Sequence, residues 1–374
     1  MNPPLIRPVL TRRDERAFIK FQWVPYRGNP YWVPPLLADR RKLIDRAKNP
    51  FYRHAELGLW LAERDGAIVG RIGAIVNDNH NREHDEKTGF FGFFECRDDQ
   101  EAASALFQAA SRWLKEKGME QVRGPANPSV NDEYGLLVEG FEQRPVIMMP
   151  YNPPYYVRLI EEAGFARIKD LYAYELDSRT VFSDKLIRGA EIVRKRTGVT
   201  IRPIDMDDFD NEVMRIRELY IRGWSRNWGE VPMTEEEFRS LAKDLKMVIE
   251  PRIVLIAELK GRPVGFGLTL PDYNEILIKN RRGYLLPALV RLLLFRKRIH
   301  SARVMVLGVL PEYQATGLGG VLFYETGRRS VEAGYTHGEA GWVLEDNHLM
   351  TRGAAMMNGK IWKRYRIYQK SLVA

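Results

Sequence analysis

Cysteine is nearly absent. Cys96 stands alone among 374 residues, which excludes an intrachain disulfide. Long apolar runs are missing too: the stretch Tyr284-Leu285-Leu286-Pro287-Ala288-Leu289-Val290-Arg291-Leu292-Leu293-Leu294-Phe295 is too short to span a bilayer. The N-terminus, Met1-Asn2-Pro3-Pro4, has no signal-peptide core, so the expected compartment is cytoplasmic. Histidine is equally sparse. His80 and His84 share a helical spacing, but Asn81 occupies the place of the glutamate in a zinc-peptidase motif, so a polar loop after a strand Ala67–Val76 is expected and no metal site. No Ser-His-Asp constellation can be assembled.

What the chain does have is a glycine-rich turn in a telling place. In Leu307-Gly308-Val309-Leu310-Pro311-Glu312-Tyr313-Gln314-Ala315-Thr316-Gly317-Leu318-Gly319-Gly320, a β-branched strand passes through glycines into a helix, Val321 to Glu332. Backbone N–H groups at such a turn converge on an anion, and the helix dipole adds to the attraction. Walker A is excluded because Gly320-Val321 stands where Lys-Ser/Thr is needed, and the glycine spacing is not that of a dinucleotide fingerprint.

The chain also repeats itself. Ile6-Arg7-Pro8 recurs as Ile201-Arg202-Pro203, Ala62-Glu63 with Gly66 as Ala257-Glu258 with Gly261, Val69-Gly70 as Val264-Gly265, and Asn152 with Gly164 as Asn347 with Gly359, all at one spacing. Between these anchors a longer spacing places Gly92 on Gly308, Leu106-Phe107 on Leu322-Phe323 and Gly118 on Gly334. The second copy therefore carries an insertion before the glycine turn. Two tandem domains are expected, residues 1–177 and 199–374, joined by a charged helix within 178–198.

Only the second copy keeps the cradle: Glu101 and Ala103 fall where it has Gly317 and Gly319, beside Asp98 and Asp99. Carboxylates there repel a phosphate, and Cβ atoms crowd the backbone. Charge divides the same way. Basic and acidic side chains balance over residues 1–180, so the net +9 lies beyond them. Its densest part is the insertion, with Lys279, Arg281, Arg282, Arg291, Arg296, Lys297 and Arg298 and no carboxylate between Glu275 and Glu312. A basic domain suits a polyanionic ligand, nucleic acid or an anionic membrane. The apolar run inside the insertion is expected to pack on its own domain with a solvated basic end; peripheral membrane contact through 279–298, or capping of an acyl chain, is the alternative.

Val309-Leu310-Pro311 followed by Gln314-Ala315-Thr316-Gly317-Leu318-Gly319 resembles the pyrophosphate-arm signature of the GNAT acetyltransferase superfamily. Asn347 through Gly359 and the tail Lys360–Tyr368 resemble its second signature, an Asn-led helix before a closing hairpin. The match covers both halves, strongest in 300–370, and looks like bacterial tandem GNAT proteins. It implies an α/β fold of two domains, each a mixed, mostly antiparallel twisted sheet flanked by helices. It also implies direct attack of an acceptor amine on the thioester of acetyl-coenzyme A or another acyl-coenzyme A. By resemblance, pantetheine lies beside Leu307 to Val309, the amides of Gln314, Ala315, Thr316, Gly317, Leu318, Gly319 and Gly320 take the pyrophosphate, and Asn347 contacts the pantetheine or thiol end. No metal is implied.

Period-two alternation puts Glu339, Gly341, Val343 and Glu345 on one strand face. Glu339 is the candidate base or else a structural carboxylate, and Glu345 is a second candidate or a helix-capping acid. Many family members carry a tyrosine acid seven positions after the helix Asn; here that residue is Ala354, so either Tyr365 or Tyr368 from the closing strand substitutes or no acid is needed, a coenzyme A thiolate being a tolerable leaving group. The expected acceptor is a small-molecule or peptide amine; Tyr31-Trp32-Val33-Pro34-Pro35-Leu36 and the polar loop 124–135 of the first domain are either surfaces that recognise it or turn chemistry alone. The competing readings are an aminoacyl-tRNA-dependent transferase and a non-catalytic acyl-coenzyme A-binding or membrane-associated protein.

Overall fold

A computed structural model describes residues 2–224 and 227–373. Packing divides the chain into two compact units. The first comprises Met1–Asp170, Leu277–Arg291 and Arg364–Ala374, and the second comprises Leu171–Ile276 and Leu292–Lys363. Chain order and packing therefore part at two places, since the start of the insertion and the end of the last strand belong with the first unit.

The first unit opens with β1 (Leu5–Pro8), α1 (Arg12–Phe21), α2 (Leu37–Ile44), β2 (Ala55–Arg64), β3 (Ala67–Asn77), α3 (Asp78–His84), β4 (Thr88–Cys96), α4 (Gln100–Glu116) and β5 (Gln121–Gly124). β1 to β4 pair antiparallel in sequence order, and β5 lies parallel to β4. After β6 (Ala126–Asn127), β7 (Glu133–Tyr134), β8 (Leu136–Glu139) and α5 (Tyr156–Glu162) comes β9 (Ala166–Asp177), whose last residues serve the second unit.

That unit continues with α6 (Asp184–Thr197), β10 (Thr200–Pro203), α7 (Phe209–Trp224), α8 (Glu235–Leu245), β11 (Val254–Leu259), β12 (Arg262–Pro271) and α9 (Asn274–Leu277). Along the chain then come α10 (Leu285–Phe295), whose residues to Arg291 pack with the first unit, β13 (Ser301–Val309), α11 (Leu318–Glu332), β14 (His337–Leu344), α12 (His348–Met356) and β15 (Lys360–Ser371), whose residues from Arg364 pack with the first unit. β10 to β13 pair antiparallel, β13 and β14 run parallel, and β14 pairs antiparallel with residues 171–177 of β9. The far half of β15 pairs with β5 and β8 in the first unit. Each unit is thus a mixed, mostly antiparallel sheet flanked by helices.

The internal repeat has a physical content. Arg7 of β1 reaches Glu63 of β2 and Asp14 of α1, both at 2.7 Å, and Arg202 of β10 reaches Glu258 of β11 and Glu212 of α7, both at 2.9 Å. One arginine clamps the edge strand, its neighbour and the first helix in either unit. The repeated glycines turn a hairpin: Asp65-Gly66 and Lys260-Gly261 take positive φ at both central positions (50° and 75°; 50° and 73°), a turn whose twist matches the flanking strands.

Two segments depart from expectation. Asp78–His84 is helical, with the Asn77 side chain capping its start, and His80 is buried rather than in a polar loop. Burial lowers its pKa to about 4 despite the nearby Glu86 carboxylate at 3.2 Å. In α10, only Ala288 of eleven residues is buried, so most of the expected packing face meets solvent.

Candidate functional site

In the second unit β13 and β14 pair from Ser301 opposite His337 to Val304 opposite Ala340, and there the parallel register ends. β13 continues to Val309 and delivers the chain through a 3-10 turn, Pro311–Thr316, to α11. Gly317 sits between them at φ 86°, a left-handed conformation that a side chain adopts only with strain. A Cβ on Gly317 would also lie 2.9 Å from Val193 Cγ2 of α6. Gly319 and Gly320 have nothing within 4 Å of a Cβ position, so the first turn of α11 is sterically open. Its leading N–H groups have no intrahelical acceptor in a regular helix, although Gly320 N–H bonds Gly317 O at 3.0 Å. Gln314 and Ala315 are exposed. Arg196 tethers the turn by donating to Thr316 O at 2.6 Å. Leu307, Val309 and Leu318 bury their side chains in the core, which leaves only their backbone for a ligand.

Beyond the parting of the strands, Val304, Leu307, Ala340, Val343, Phe323 and Ala354 line a small apolar pocket with a volume of about 10 Å³. Ala354 therefore faces apolar side chains where a tyrosine would bring a hydroxyl. Asn347 caps its own helix, accepting from Met350 N–H at 3.1 Å.

The same place in the first unit is closed. The parallel register of β4 and β5 ends at Phe90 opposite Arg123, and the chain itself lies beside the continuing strand: Asn127 Oδ1 accepts from Phe93 N–H, and a Cβ on Gly92 would lie 1.7 Å from Ala126 O. Asp99 caps α4 through Ala102 N–H at 3.0 Å, while Arg64 donates to Asp99 and Glu101 at 3.2 and 2.8 Å. The helix terminus and the strand edge are satisfied internally.

Glu339 sits in β14, fully buried, with Lys363 Nζ 2.7 Å from its Oε2. A pair enclosed in this way neutralises two charges inside the sheet and is shut off from an incoming amine. The β14–β9 register shifts between Ala340 and Val343, so strict alternation does not run unbroken from Glu339 to Glu345. Glu345 lies past the end of β14, half-buried, in the turn before α12. Tyr365 and Tyr368 are wholly buried in the first unit, Tyr365 opposite Leu137 and Tyr368 opposite Gly124.

Glu230 carried no sequence signal. Tyr220 OH donates to its Oε1 at 2.7 Å, and burial pushes its carboxyl up to about 7, the hydrogen bond opposing the shift. Tyr220 stacks on Trp224 at 5.6 Å. Trp224 in turn covers Gly308 of β13 so closely that a Cβ there would lie 2.8 Å from its ring. Two aromatic side chains, Tyr220 and Trp224, thus separate Glu230 from the strand leading to the glycine turn. Among the described residues no group of three or more His, Cys, Asp or Glu could hold a metal.

No family model matches the chain. Solved structures match it end to end: a tandem GNAT protein from the clavulanic acid biosynthesis pathway (14% identity, 99% of each chain, TM-score 0.55) and a GCN5-related N-acetyltransferase from Sphaerobacter thermophilus (13%, 99% of this chain and 96% of that one, 0.53). Two curated proteins are much nearer in sequence. Protein YghO of Escherichia coli is 36% identical over 98% of this chain and 95% of its own length, and the bacterial ceramide synthase of Caulobacter vibrioides is 36% identical over 98% and 97%. The chain belongs to their family and has the fold of the tandem GNAT structures. Its two halves share that fold, but only the second leaves the strand edge and helix terminus open.

Proposed function

We propose that the chain is an acyl-coenzyme A-dependent N-acyltransferase that loads its donor in the second unit, and that its acceptor is the amine of a long-chain base. The contrast between the halves carries the first part: one strand–turn–helix is open and glycine-lined, and its duplicate is filled by its own chain and carboxylates. The name of the Caulobacter relative supports the second, because a ceramide is an N-acylated long-chain base. On this reading the acyl group is fatty rather than acetyl.

The turn at Gly317 to Gly320, with the Gly317 and Gly319 amides foremost because those of Leu318 and Gly320 already have partners, holds the donor's pyrophosphate, and the unpaired edge of β13 from Leu307 to Val309 takes the pantetheine as an added strand. Its N–H groups polarise the thioester carbonyl, and fixing donor and amine together supplies proximity. Glu230 receives the proton as the amine's nitrogen–carbon bond forms. The carbon–sulfur bond breaks, and the sulfur leaves as thiolate because Ala354 offers no proton. The test is to incubate the full chain with palmitoyl-coenzyme A and sphinganine and follow free thiol and amide mass. One amide per thiol released is the expected result; no amide and no thiol above the enzyme-free rate contradicts the reading.

A further inference from the structure

Leu285, Leu286, Leu289, Val290, Leu293 and Leu294 recur along α10 in two adjacent ridges four residues apart, and every one is exposed, from 43% at Leu289 to 79% at Leu293. Residues four apart share a helix face, so these side chains form one continuous aliphatic strip facing water. Isolated exposed leucines are ordinary, but a contiguous strip marks an interaction surface. Both ends of the helix are basic. Lys279 and Arg282 precede it, Arg296, Lys297 and Arg298 follow it, all five are exposed, and none makes an ion pair among the described residues. Arg298 rests on the Phe295 ring at 5.0 Å.

We infer that α10 docks the protein on an anionic lipid surface, its aliphatic strip sunk to the acyl boundary and the flanking lysines and arginines among the headgroups. Charge selects this occupant over a second copy. Because both ends of α10 are basic, pairing the strip with itself sets cation against cation in either orientation, whereas an anionic leaflet neutralises both ends at once. Among the described residues no helix is long and apolar enough to cross a membrane, so the contact is parallel to the surface. The inference stands on exposure and charge and does not require the proposed reaction.

The experiment is flotation of the purified full chain with vesicles of phosphatidylcholine alone or with about one-third phosphatidylglycerol. Alongside it run Leu289→Asp/Leu293→Asp and Lys297→Glu/Arg298→Glu variants, with folding checked by circular dichroism. These side chains are solvent-facing, so both variants are expected to fold. Docking predicts flotation with the anionic vesicles, roughly tenfold less with neutral ones, and a loss of similar size in each variant. Failure of the unaltered chain to float, or undiminished flotation of the leucine variant, overturns it. So does light scattering that shows a dimer dissociated by the leucine substitutions without vesicle binding.

Discussion

Glu230 and Glu339 show how environment rather than residue type sets what a carboxylate can do. Burial beside a neutral phenol leaves Glu230 titrating near neutrality, where a group can both accept and release a proton. If it is the base, only its ionised form works, so kcat/KM rises with pH through about 7. Glu230→Gln is expected to lower kcat about 100-fold and to remove that rising limb; a pH-rate profile of both proteins checks it. Glu339 instead faces a fixed cation in a dry interior. Lys363→Ala strands its charge and is expected to cost about 3–5 kcal/mol, read by denaturant unfolding, whereas Glu339→Gln/Lys363→Met together cost far less. Alternation in the sequence pointed to Glu339 as an acid in apolar company. Its partner was illegible because Lys363 comes from a strand 24 residues on. Nor could spacing find Glu230, which lies in an irregular stretch after α7 and owes its raised pKa to burial.

At the scale of elements, short-range chemistry was readable and long-range satisfaction was not. Glycines at 66 and 261, the Ile-Arg-Pro edge strands and the strand–turn–helix at 307–332 all state their geometry locally. The short helix at 78–84 was missed because its apolar contacts are few and a single side chain, Asn77, starts it. The polar loop 124–135 could be read as recognition surface or as turn chemistry; the structure shows it spending Asn127 and the Ala126 carbonyl beside β4. Insertion helix α10 had the composition of a core element, and only packing reveals that its aliphatic ridges find no cover.

The whole molecule is a duplication whose copies differ in the insertion that carries α10 and in the strand edge and helix terminus at the glycine turn. Both units keep the arginine clamp, the glycine hairpin and the parallel strand pair. The first has closed this place with backbone and acids, whereas the second leaves it open. That fold was legible in the repeat, and the contrast in the residues at 101 and 103. The exchange of strand ends between the units was not, since β9 and β15 are each one unbroken strand in sequence.

Whether the second unit alone binds the donor is decided by calorimetric titration of palmitoyl-coenzyme A into the full chain and a Gly319→Glu variant. Gly319 has space for a Cβ and no positive φ, so the substitution adds charge at the cradle without straining the fold. The account predicts one saturable site, weakened about 100-fold by the carboxylate. Equal binding by both proteins would place the donor elsewhere and contradict it.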